Sequence, residues 1–171
     1  MSNADSRIEH NNLDKTLQAN GAQFLSFTLG KEEYGVDILR VQEIRSWEPV
    51  SRIPNVPSYE KGVVNLRGAI VPIIDLRERF QLGFTHYGPT TVVVVLQVRI
   101  GEKVRVMGVV VDAVSDVIDV DKTTVQSAPN FGAKVSTEFI SGLVSVTGRM
   151  VMLLDVDKLL KLDGVDDDDE S

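Results

Sequence analysis

Asp75 and Asp155 are the residues whose type and setting could most readily support catalysis. A pair of carboxylates can share general acid–base work when the chain brings them together. Each aspartate, however, follows an apolar run and directly precedes a short segment of helical character. Glu78 comes three residues after Asp75, which is the spacing of a helix N-cap with a capping box. The sequence therefore predicts that both aspartates begin helices instead of forming a catalytic pair.

Histidine, cysteine and phosphate-binding chemistry are not indicated. The sequence contains two histidines, His10 near the N-terminus and His86 in a loop, and no cysteine. Neither histidine has a second one at metal-ligand spacing, and the acidic run 163–170 does not fit a calcium loop. The glycine-rich sequences that cradle phosphates are also absent. We therefore expect no catalytic residue, no metal ion and no cofactor.

Glu43 and Arg67 are charged residues within apolar segments, where burial without a partner is costly. In one interpretation they are exposed at strand edges and form a weak salt bridge. In the other they form a polar feature at the edge of an apolar protein-binding patch. That patch would be formed by Val41, Ile44, Val114 and Val117. The residues alone leave both interpretations open.

The elements that must position these residues are short strands separated by glycine-containing turns. Residues 63–64 and 69–74 are rich in β-branched side chains and bounded by glycine, which is typical of strands. Arg67 then lies at the turn between them, and Gly68 supplies the backbone freedom that the turn needs.

The same pattern occurs again later in the chain. Residues 139–156 align without a gap with the stretch that begins at Tyr59, and residues 107–117 align with 34–44. The matched pairs include Gly62 and Gly142, Gly68 and Gly148, Asp75 and Asp155, Val41 and Val114, Glu43 and Asp116, and Ile44 and Val117. Both alignments run in the same order along the chain. We therefore predict an internal duplication.

The remaining segments predict further strands and few helices. Hairpins are expected in residues 23–38 and 90–111, and a helix is expected over 155–162. Periodicity does not decide whether residues 36–44 form a strand or a short helix. We predict a mainly β protein of two small intertwined β-barrel halves with minor short helices. The boundary between the halves is expected near residues 81–90.

Bulk composition narrows the classes of partner. The chain has 171 residues, a hydrophobic fraction of 43% and a net charge of -7. The charge makes nucleic acid an unexpected partner. No apolar run is long enough to cross a bilayer, so direct membrane insertion is not expected. Residues 1–22 are expected to form a flexible tail and 163–171 an acidic tail, which leaves 23–162 as the folded domain.

Several motifs in this domain together resemble the CheW family of chemotaxis coupling proteins. The turn Asn65-Leu66-Arg67-Gly68 is followed by an apolar run that ends in Asp75-Leu76, a combination highly specific for CheW-like domains. The resemblance extends over the segments 24–30, 33–38, 41–44, 62–68 and 108–112. The chain carries no segment for ATP binding, phosphotransfer or kinase dimerisation and no receiver domain, which favours a stand-alone adaptor.

The resemblance implies a fold, a function and sites. It implies two SH3-like five-stranded barrels and a cytoplasmic adaptor, not an enzyme, recruited to membrane-bound receptor arrays. Its partners would be the regulatory domain of the histidine kinase CheA and the cytoplasmic tips of methyl-accepting chemotaxis receptors. By the family's motifs, the receptor-binding residues would be Val41, Glu43, Ile44, Arg67, Val114 and Val117. Contacts with the kinase would involve Val92 and Phe131.

Other functions are also compatible with parts of the sequence. A CheW-like scaffold of a non-flagellar chemosensory pathway would share the same motifs. A small-ligand-binding or enzymatic β-barrel would need convergent polar groups in a pocket, and only Glu43 and Arg67 suggest any. An RNA-binding barrel would need a basic groove with stacking aromatics, which the acidic composition disfavours.

Overall fold

The computed structural model describes residues 21–83, 87–127 and 137–161. Within these ranges the chain is mainly β, as predicted, with ten strands in two five-stranded sheets. The strands are β1 (Gly21–Leu29), β2 (Glu32–Asp37), β3 (Val41–Ser46), β4 (Glu60–Leu66), β5 (Ala69–Asp75), β6 (Val92–Ile100), β7 (Lys103–Val111), β8 (Ala113–Asp121), β9 (Ile140–Val146) and β10 (Arg149–Leu154). His10, His86, Phe131 and both predicted tails, apart from Gly21 and Ala22 in β1, lie outside the described residues.

The helices of the described residues are short. Helix α1 spans Leu76–Arg79 and helix α2 spans Val156–Leu159, and 3-10 turns occupy Ile38–Arg40, Lys122–Thr124 and Thr137–Phe139. Helix α2 was predicted over 155–162 but ends at Leu159 after about one turn. Leu159 and the following Leu160 are both buried. The leucines therefore anchor the chain in the core without a longer helix.

The two sheets have the same strand order and combine strands from both halves of the chain. The first sheet runs β8-β1-β2-β10-β9 and the second runs β3-β6-β7-β5-β4. Each sheet therefore takes one hairpin from one half and three strands from the other. In each sheet the hairpin contacts the other half through a parallel pair, β2 with β10 and β7 with β5. The two halves consequently cross over instead of forming one sheet each.

The turn that carries Arg67 lies where the sequence placed it. Leu66 pairs with Ala69, so Arg67 and Gly68 are the two loop residues of the β4–β5 hairpin. Both have positive φ, 53° and 88°, as a type I′ turn requires. The Asn65 side chain accepts a hydrogen bond of 2.8 Å from the Gly68 N–H. The turn is thus fixed by its own sequence.

The segment 36–44, which periodicity left undecided, contains both kinds of structure. Strand β2 ends at Asp37, a 3-10 turn follows, and β3 begins at Val41. Asp37 ends the strand because its side chain accepts a hydrogen bond of 2.9 Å from the Leu39 N–H. This short turn carries the chain from the first sheet to the second.

In each sheet, one isolated β-bridge joins one outer strand to a residue that follows the other outer strand. Ser51, which follows β3, bridges to Val63 of β4, and Gln126, which follows β8, bridges to Leu143 of β9. Glycine permits the first approach, since a Cβ at Gly62 would lie 2.0 Å from the Ser51 carbonyl oxygen. At the matched Gly142 a Cβ would lie 2.2 Å from a methyl group of Val125. Beyond these bridges the outer strands do not pair along their lengths within the described residues.

The buried side chains form one central core and one smaller cluster within each sheet. The central core combines residues of both sheets, among them Phe27, Tyr34, Ile74 and Leu96. The clusters of the separate sheets contain Leu66, Val71, Ile73, Val93, Val95 and Val110 in one and Ile118, Val120, Val144, Val151 and Leu153 in the other. Strand β6 contributes alternate residues to two of these cores. It is therefore buried on both faces, as its near-continuous apolar run predicted.

Candidate functional site

The predicted binding residues Val41, Glu43 and Ile44 lie on β3, an outer strand of the second sheet. Burial alternates along β3, as expected of a strand with one face against the protein. Val41 is partly buried and packs against the central core. Ile44 instead has 45% of its surface exposed, which is high for an isoleucine. Strand β3 thus combines core packing with an apolar side chain available to a partner.

Val114 and Val117 occupy the matching outer strand of the first sheet, β8. Val114 packs against the same central core as Val41. Val117 is 44% exposed, almost the same fraction as its aligned partner Ile44. The structure therefore gives each aligned pair one environment, with Val41 and Val114 anchored in the core and Ile44 and Val117 facing outward.

Both outer strands are interrupted at the same aligned position. The pairing of β3 with β6 passes from Val41 to Glu43 and skips Gln42. The pairing of β8 with β1 passes from Val114 to Asp116 and skips Ser115. Such β-bulges twist an edge strand and redirect its side chains. The bulges are also a recognised protection of exposed edges against unwanted strand pairing.

Glu43 and Arg67 do form an ion pair, between the outer strand β3 and the β4–β5 turn. The guanidinium nitrogens lie 3.3 and 3.4 Å from the two carboxylate oxygens. The Arg67 side chain is 72% exposed and that of Glu43 is 24% exposed. A long, solvent-facing pair of this kind contributes little to folding stability. The structure thus establishes the salt bridge of the first interpretation and leaves the Arg67 side chain accessible for the second.

The aligned position in the first sheet lacks this ion pair. Thr147 occupies the turn position that Arg67 occupies in the second sheet, with a φ of 47°. Asp116, the counterpart of Glu43, accepts a hydrogen bond of 2.8 Å from the Val117 N–H. The Glu43–Arg67 pair therefore distinguishes the second sheet from the first.

Of the two kinase-contact candidates, Val92 is the one that the described residues include. Val92 is the first residue of β6 and packs, partly buried, against the central core. Phe131 lies outside the described residues.

Two ion-pair networks beside the outer strands were not predicted from the sequence. Arg40, which directly precedes β3, donates to both carboxylate oxygens of Asp157 at 2.8 Å. The same carboxylate accepts from the Arg99 N–H at 2.7 Å. Arg77 donates at 3.0 Å to Asp112, which also accepts from the Gly30 N–H at 2.6 Å. Each network joins a helix, a crossover between the sheets and a strand or hairpin turn.

A signal for these networks was present in the repeat. Arg77 and Asp157 occupy aligned positions, two residues after the aligned aspartates, but carry opposite charges. Their partners Asp112 and Arg40 carry the complementary charges. Because the pairing joins residues far apart in sequence, the exchange of charge could be interpreted only once the crossed topology was known.

The Arg40–Asp157 contact shifts the pKa values of both groups. The hydrogen bond to Asp157 raises the pKa of the Arg40 guanidinium, and this outweighs the opposing effect of burial. Burial alone would raise the pKa of the Asp157 carboxyl. The hydrogen bonds from Arg40 and from the Arg99 backbone, with the charges of both arginines, nevertheless hold the pKa of Asp157 below its ordinary value. The carboxylate is therefore stabilised in its charged form.

Asp75 and Asp155 are helix N-caps, as predicted. Asp75 accepts from the Arg77 and Glu78 N–H groups, and Asp155 accepts from the Lys158 N–H. The predicted capping box is not closed. The Asp75 N–H donates to the Tyr59 carbonyl at 2.8 Å, and Glu78 forms an ion pair with Lys61.

An aromatic pair adds to the Asp75 cap. The Tyr87 hydroxyl donates to Asp75 at 2.8 Å, and its ring stacks on Trp47 with centroids 4.4 Å apart. Burial, followed by the bond to Asp75, raises the pKa of the Tyr87 hydroxyl. No group of three or more His, Cys, Asp or Glu residues is arranged to hold a metal ion within the described parts of the chain. The carboxylates of Asp75 and Asp155 therefore serve as hydrogen-bond acceptors within the fold.

The folded domain matches a known protein family over nearly its whole length. Residues 23–163 match the CheW-like domain. The chain belongs to the CheW-like domain family. The described CheW-like fold contains no helix that is both long and apolar enough to span a membrane.

Individual relatives cover most of the chain. It is 51% identical over 140 residues to the chemotaxis protein CheW of Klebsiella aerogenes, covering 82% of each chain. It is 28% identical over 142 residues to the protein FrzA of Myxococcus xanthus, covering 81% of this chain and 85% of FrzA. The crystal structure of the scaffolding protein TtCheW from Thermoanaerobacter tengcongensis superposes with a TM-score of 0.74 at 28% identity, covering 84% of this chain and 90% of TtCheW.

Proposed function

We propose that this protein is an adaptor, not an enzyme, that couples methyl-accepting chemotaxis receptors to the histidine kinase CheA. The observation that carries the proposal is the match of residues 23–163 to the CheW-like domain. The 51% identity to a chemotaxis protein named CheW and the likeness to a scaffolding protein support it. The partners would be the receptors' cytoplasmic tips and the regulatory domain of CheA. The protein would act in the cytoplasm and be recruited to membrane-bound receptor arrays.

We infer further that each sheet is an SH3-like barrel and that the two arose by duplication. The shared strand order, the matched parallel pairs and the bulges at aligned positions support the duplication. The bridges Ser51–Val63 and Gln126–Leu143 support closure of each sheet into a barrel. The domain would comprise residues 23–162, with the boundary between its intertwined halves near 81–90.

The receptor-binding surface would lie along the outer strands β3 and β8. Ile44 and Val117 would supply exposed apolar contacts, because both project outward from strands otherwise anchored in the core. Val41 and Val114 would support these strands from within. Glu43 and Arg67 would form a polar margin, with the Arg67 side chain largely open to a partner. Interfaces commonly combine an apolar centre with such a polar rim.

Kinase contacts at Val92 and Phe131 form a separate part of the proposal. Val92 is partly buried against the central core, so its contribution would come through the start of β6 as well as through its own side chain. The Phe131 contact depends on the family resemblance alone.

A scaffold in a non-flagellar chemosensory pathway is the second candidate. The relative that favours it is FrzA, a family member with a different protein name and 28% identity. A small-ligand-binding β-barrel is a distant third candidate, and the pocket that it would use has Arg45, Ser46, Glu48, Ser51 and Asn65 among its lining residues.

The first experiment is a pull-down of the purified chain with a receptor cytoplasmic tip and, separately, with the CheA regulatory domain. Binding to both partners is the expected result. Binding to neither by a chain with a native circular dichroism spectrum would refute the adaptor function for these partners. The pull-down should include receptor tips from a chemotaxis pathway and from a non-flagellar chemosensory pathway. Binding to the tips from one pathway only would identify the pathway in which this chain acts.

Val117→Asp tests the proposed receptor surface. The added carboxylate would be placed without a partner at the centre of an apolar contact, and we expect receptor affinity to fall at least about tenfold. Val104→Asp is the matched control, because Val104 is also an exposed strand valine, at 59%, but lies on β7. Equal receptor affinity of the two folded variants would remove Val117 from the site.

A further inference from the structure

A cavity opens between the outer strands β3 and β4 of the second sheet, and it encloses a volume of about 270 Å³. Buried core side chains line one part of it, namely Ile73, Val93 and Val95. Polar side chains also line it, namely Arg45, Ser46, Glu48, Ser51 and Asn65. The cavity therefore offers a ligand apolar surface together with a cation, an anion and neutral hydrogen-bonding groups.

Two cross-links lie on either side of this cavity. Ser51 and Val63 exchange two backbone hydrogen bonds, of 3.2 and 2.8 Å. The Glu43–Arg67 ion pair joins β3 to the β4–β5 turn. Along β3 and β4, the lining residues lie between these two cross-links. The opening is therefore framed by contacts within the fold.

The internal repeat explains why the second sheet has this space. Continuing the alignment of residues 34–44 with 107–117 by one residue places Arg45 opposite Ile118. Ile118 is 5% exposed and packs in the apolar cluster of the first sheet. The second sheet has a partly exposed arginine at this position, and its side chain lines the cavity instead of filling it. The exchange thus replaces core volume with an opening and a positive charge.

The two charged lining residues are not used within the fold. Among the described residues, neither Arg45 nor Glu48 forms a hydrogen bond or an ion pair. Arg40, five residues before Arg45, is by contrast fully engaged by Asp157. Charged groups beside apolar surface bind a ligand group of opposite charge more strongly than they would in open water. The fold therefore leaves one cation and one anion available to a ligand.

We propose that this cavity binds a free aliphatic α-amino acid. Arg45 donates hydrogen bonds to the carboxylate of the ligand, and Glu48 accepts from its ammonium group. The aliphatic side chain of the ligand contacts the apolar lining, which Ile73, Val93 and Val95 provide. This binding is a further activity of the chain and does not depend on the proposed adaptor function.

Charge and size define the ligand class. A simple organic anion is attracted by Arg45 but repelled by Glu48, and the reverse holds for a simple amine. A zwitterion satisfies both groups. The volume is below the range of about 300–1,000 Å³ that is typical of pockets for drug-sized ligands, whereas a cavity of about 150 Å³ already holds a benzene-sized molecule. The space therefore suits a single amino acid better than a peptide segment.

An NMR titration of the full chain with L-leucine tests the proposal. Trp47, the one tryptophan of the chain, packs against the apolar cluster that includes Val93 and Val95. We expect saturable shifts of the Trp47 indole N–H and of the backbone amides of residues 63–65 and 93–95. The amides of residues 143–145, which align with 63–65 in the first sheet, should not shift. The absence of a saturable shift along the cavity would overturn the proposal.

Derivatives of leucine test the two charges separately. N-acetyl-L-leucine lacks the ammonium group and L-leucinamide lacks the carboxylate, so each should bind at least about tenfold more weakly than L-leucine. Glycine keeps both charges without an apolar side chain, and it should also bind at least about tenfold more weakly. Equal affinities for L-leucine and L-leucinamide would show that Arg45 does not recognise the carboxylate, which also contradicts the proposal.

Variants at position 45 connect the binding to the cavity. Arg45→Ile introduces the residue of the first sheet and should abolish L-leucine binding in a folded chain. Arg45→Gln keeps most of the cavity and should bind L-leucine and L-leucinamide with similar, weakened affinity. Arg99→Ile is the matched control, because Arg99 is an exposed arginine of β6 outside the cavity lining, and it should bind L-leucine as the natural chain does. Undiminished binding by the folded Arg45 variants would refute the site, whatever the outcome of receptor and kinase binding.

Discussion

Arg67 and Glu43 show how a single ion pair can serve a surface without stabilising the fold. Arg67 sits in a two-residue turn whose positive φ values and Asn65 contact are independent of its own side chain. Its guanidinium is mostly solvated and only 3.3–3.4 Å from Glu43. The turn therefore positions the arginine, and the arginine adds little to the turn.

Arg67→Ala should leave the fold intact and weaken receptor binding. We expect the free energy of unfolding to change by less than about 0.5 kcal/mol, because exposed ion pairs contribute little. Thermal unfolding and receptor pull-down on the same sample measure the two effects. A loss of stability well above this value would show that Arg67 acts mainly in folding.

Tyr34, in contrast to Arg67, is a buried residue whose side chain contributes to the stability of the fold and not to a binding surface. Its side chain is fully buried, stacks on Phe27 at 5.9 Å, and its hydroxyl has no hydrogen-bond partner within the described residues. Burial, with a smaller effect from Glu32, raises the pKa of Tyr34 to about 12. The ring therefore stabilises the core, whereas the hydroxyl carries an uncompensated desolvation cost.

Tyr34→Phe should be neutral or stabilise the protein by up to about 1 kcal/mol, since it removes the unpartnered hydroxyl and retains the ring. Urea unfolding of the variant beside Tyr34→Leu provides the measurement. Tyr34→Leu should destabilise the protein because it loses aromatic packing. Destabilisation of Tyr34→Phe by more than about 1 kcal/mol would mean that the hydroxyl has a partner.

At the scale of elements, matched glycines allow the outer strands of each sheet to meet. Gly62 and Gly142 occupy aligned positions. They directly precede Val63 and Leu143, the residues that form the bridges to Ser51 and Gln126. Gly62 also has a φ of 145°, a conformation that other residues rarely adopt. These two glycines therefore explain a sequence match whose structural purpose was not evident from the sequence.

Gly62→Ala should destabilise the protein by about 2–4 kcal/mol, because the new Cβ would overlap a backbone oxygen that cannot rotate away. Gly88→Ala is the control, since a Cβ there meets nothing within 4 Å. Chemical denaturation of both variants measures the difference. Equal stability of the two would show that the Ser51–Val63 bridge can move at little cost.

At the scale of the whole molecule, two ion-pair networks connect the crossed halves. Arg40 lies at the crossover from the first sheet to the second and contacts Asp157 and the β6 backbone. Asp112 lies at the reverse crossover and contacts Arg77 and the hairpin turn at Gly30. The networks act beside the central core, where side chains of both sheets already pack together.

Asp157→Asn should lower the stability of the whole domain by about 1–2 kcal/mol at neutral pH, a value reduced for partial exposure. Because the folded-state pKa of Asp157 lies below its ordinary value of 3.8, its stabilisation is present above that pH and is lost as the pH falls below it. Asp157→Asn should therefore unfold with a weaker pH dependence below about pH 4.

Thermal unfolding of the natural chain and of Asp157→Asn between pH 3 and pH 7 measures this effect. Glu102→Gln, which removes an exposed carboxylate at the β6–β7 turn, is the control and should retain the pH dependence of the natural chain. Identical acid profiles for Asp157→Asn and the natural chain would show that this network does not hold the halves together.

Features that depend on neighbouring residues could be predicted from local patterns in the chain. The Asn65–Gly68 turn, the caps at Asp75 and Asp155, the mainly β class and the family motif all follow from local patterns. Features that depend on contacts between distant residues became evident only from the folded chain. It showed that strands cross between the halves, that Arg40 meets Asp157, and that Ile44 and Val117 are exposed while Val41 and Val114 are anchored. A strand's pattern sets which side chains share a face, but its pairing partner and its final burial depend on the packing of the whole chain.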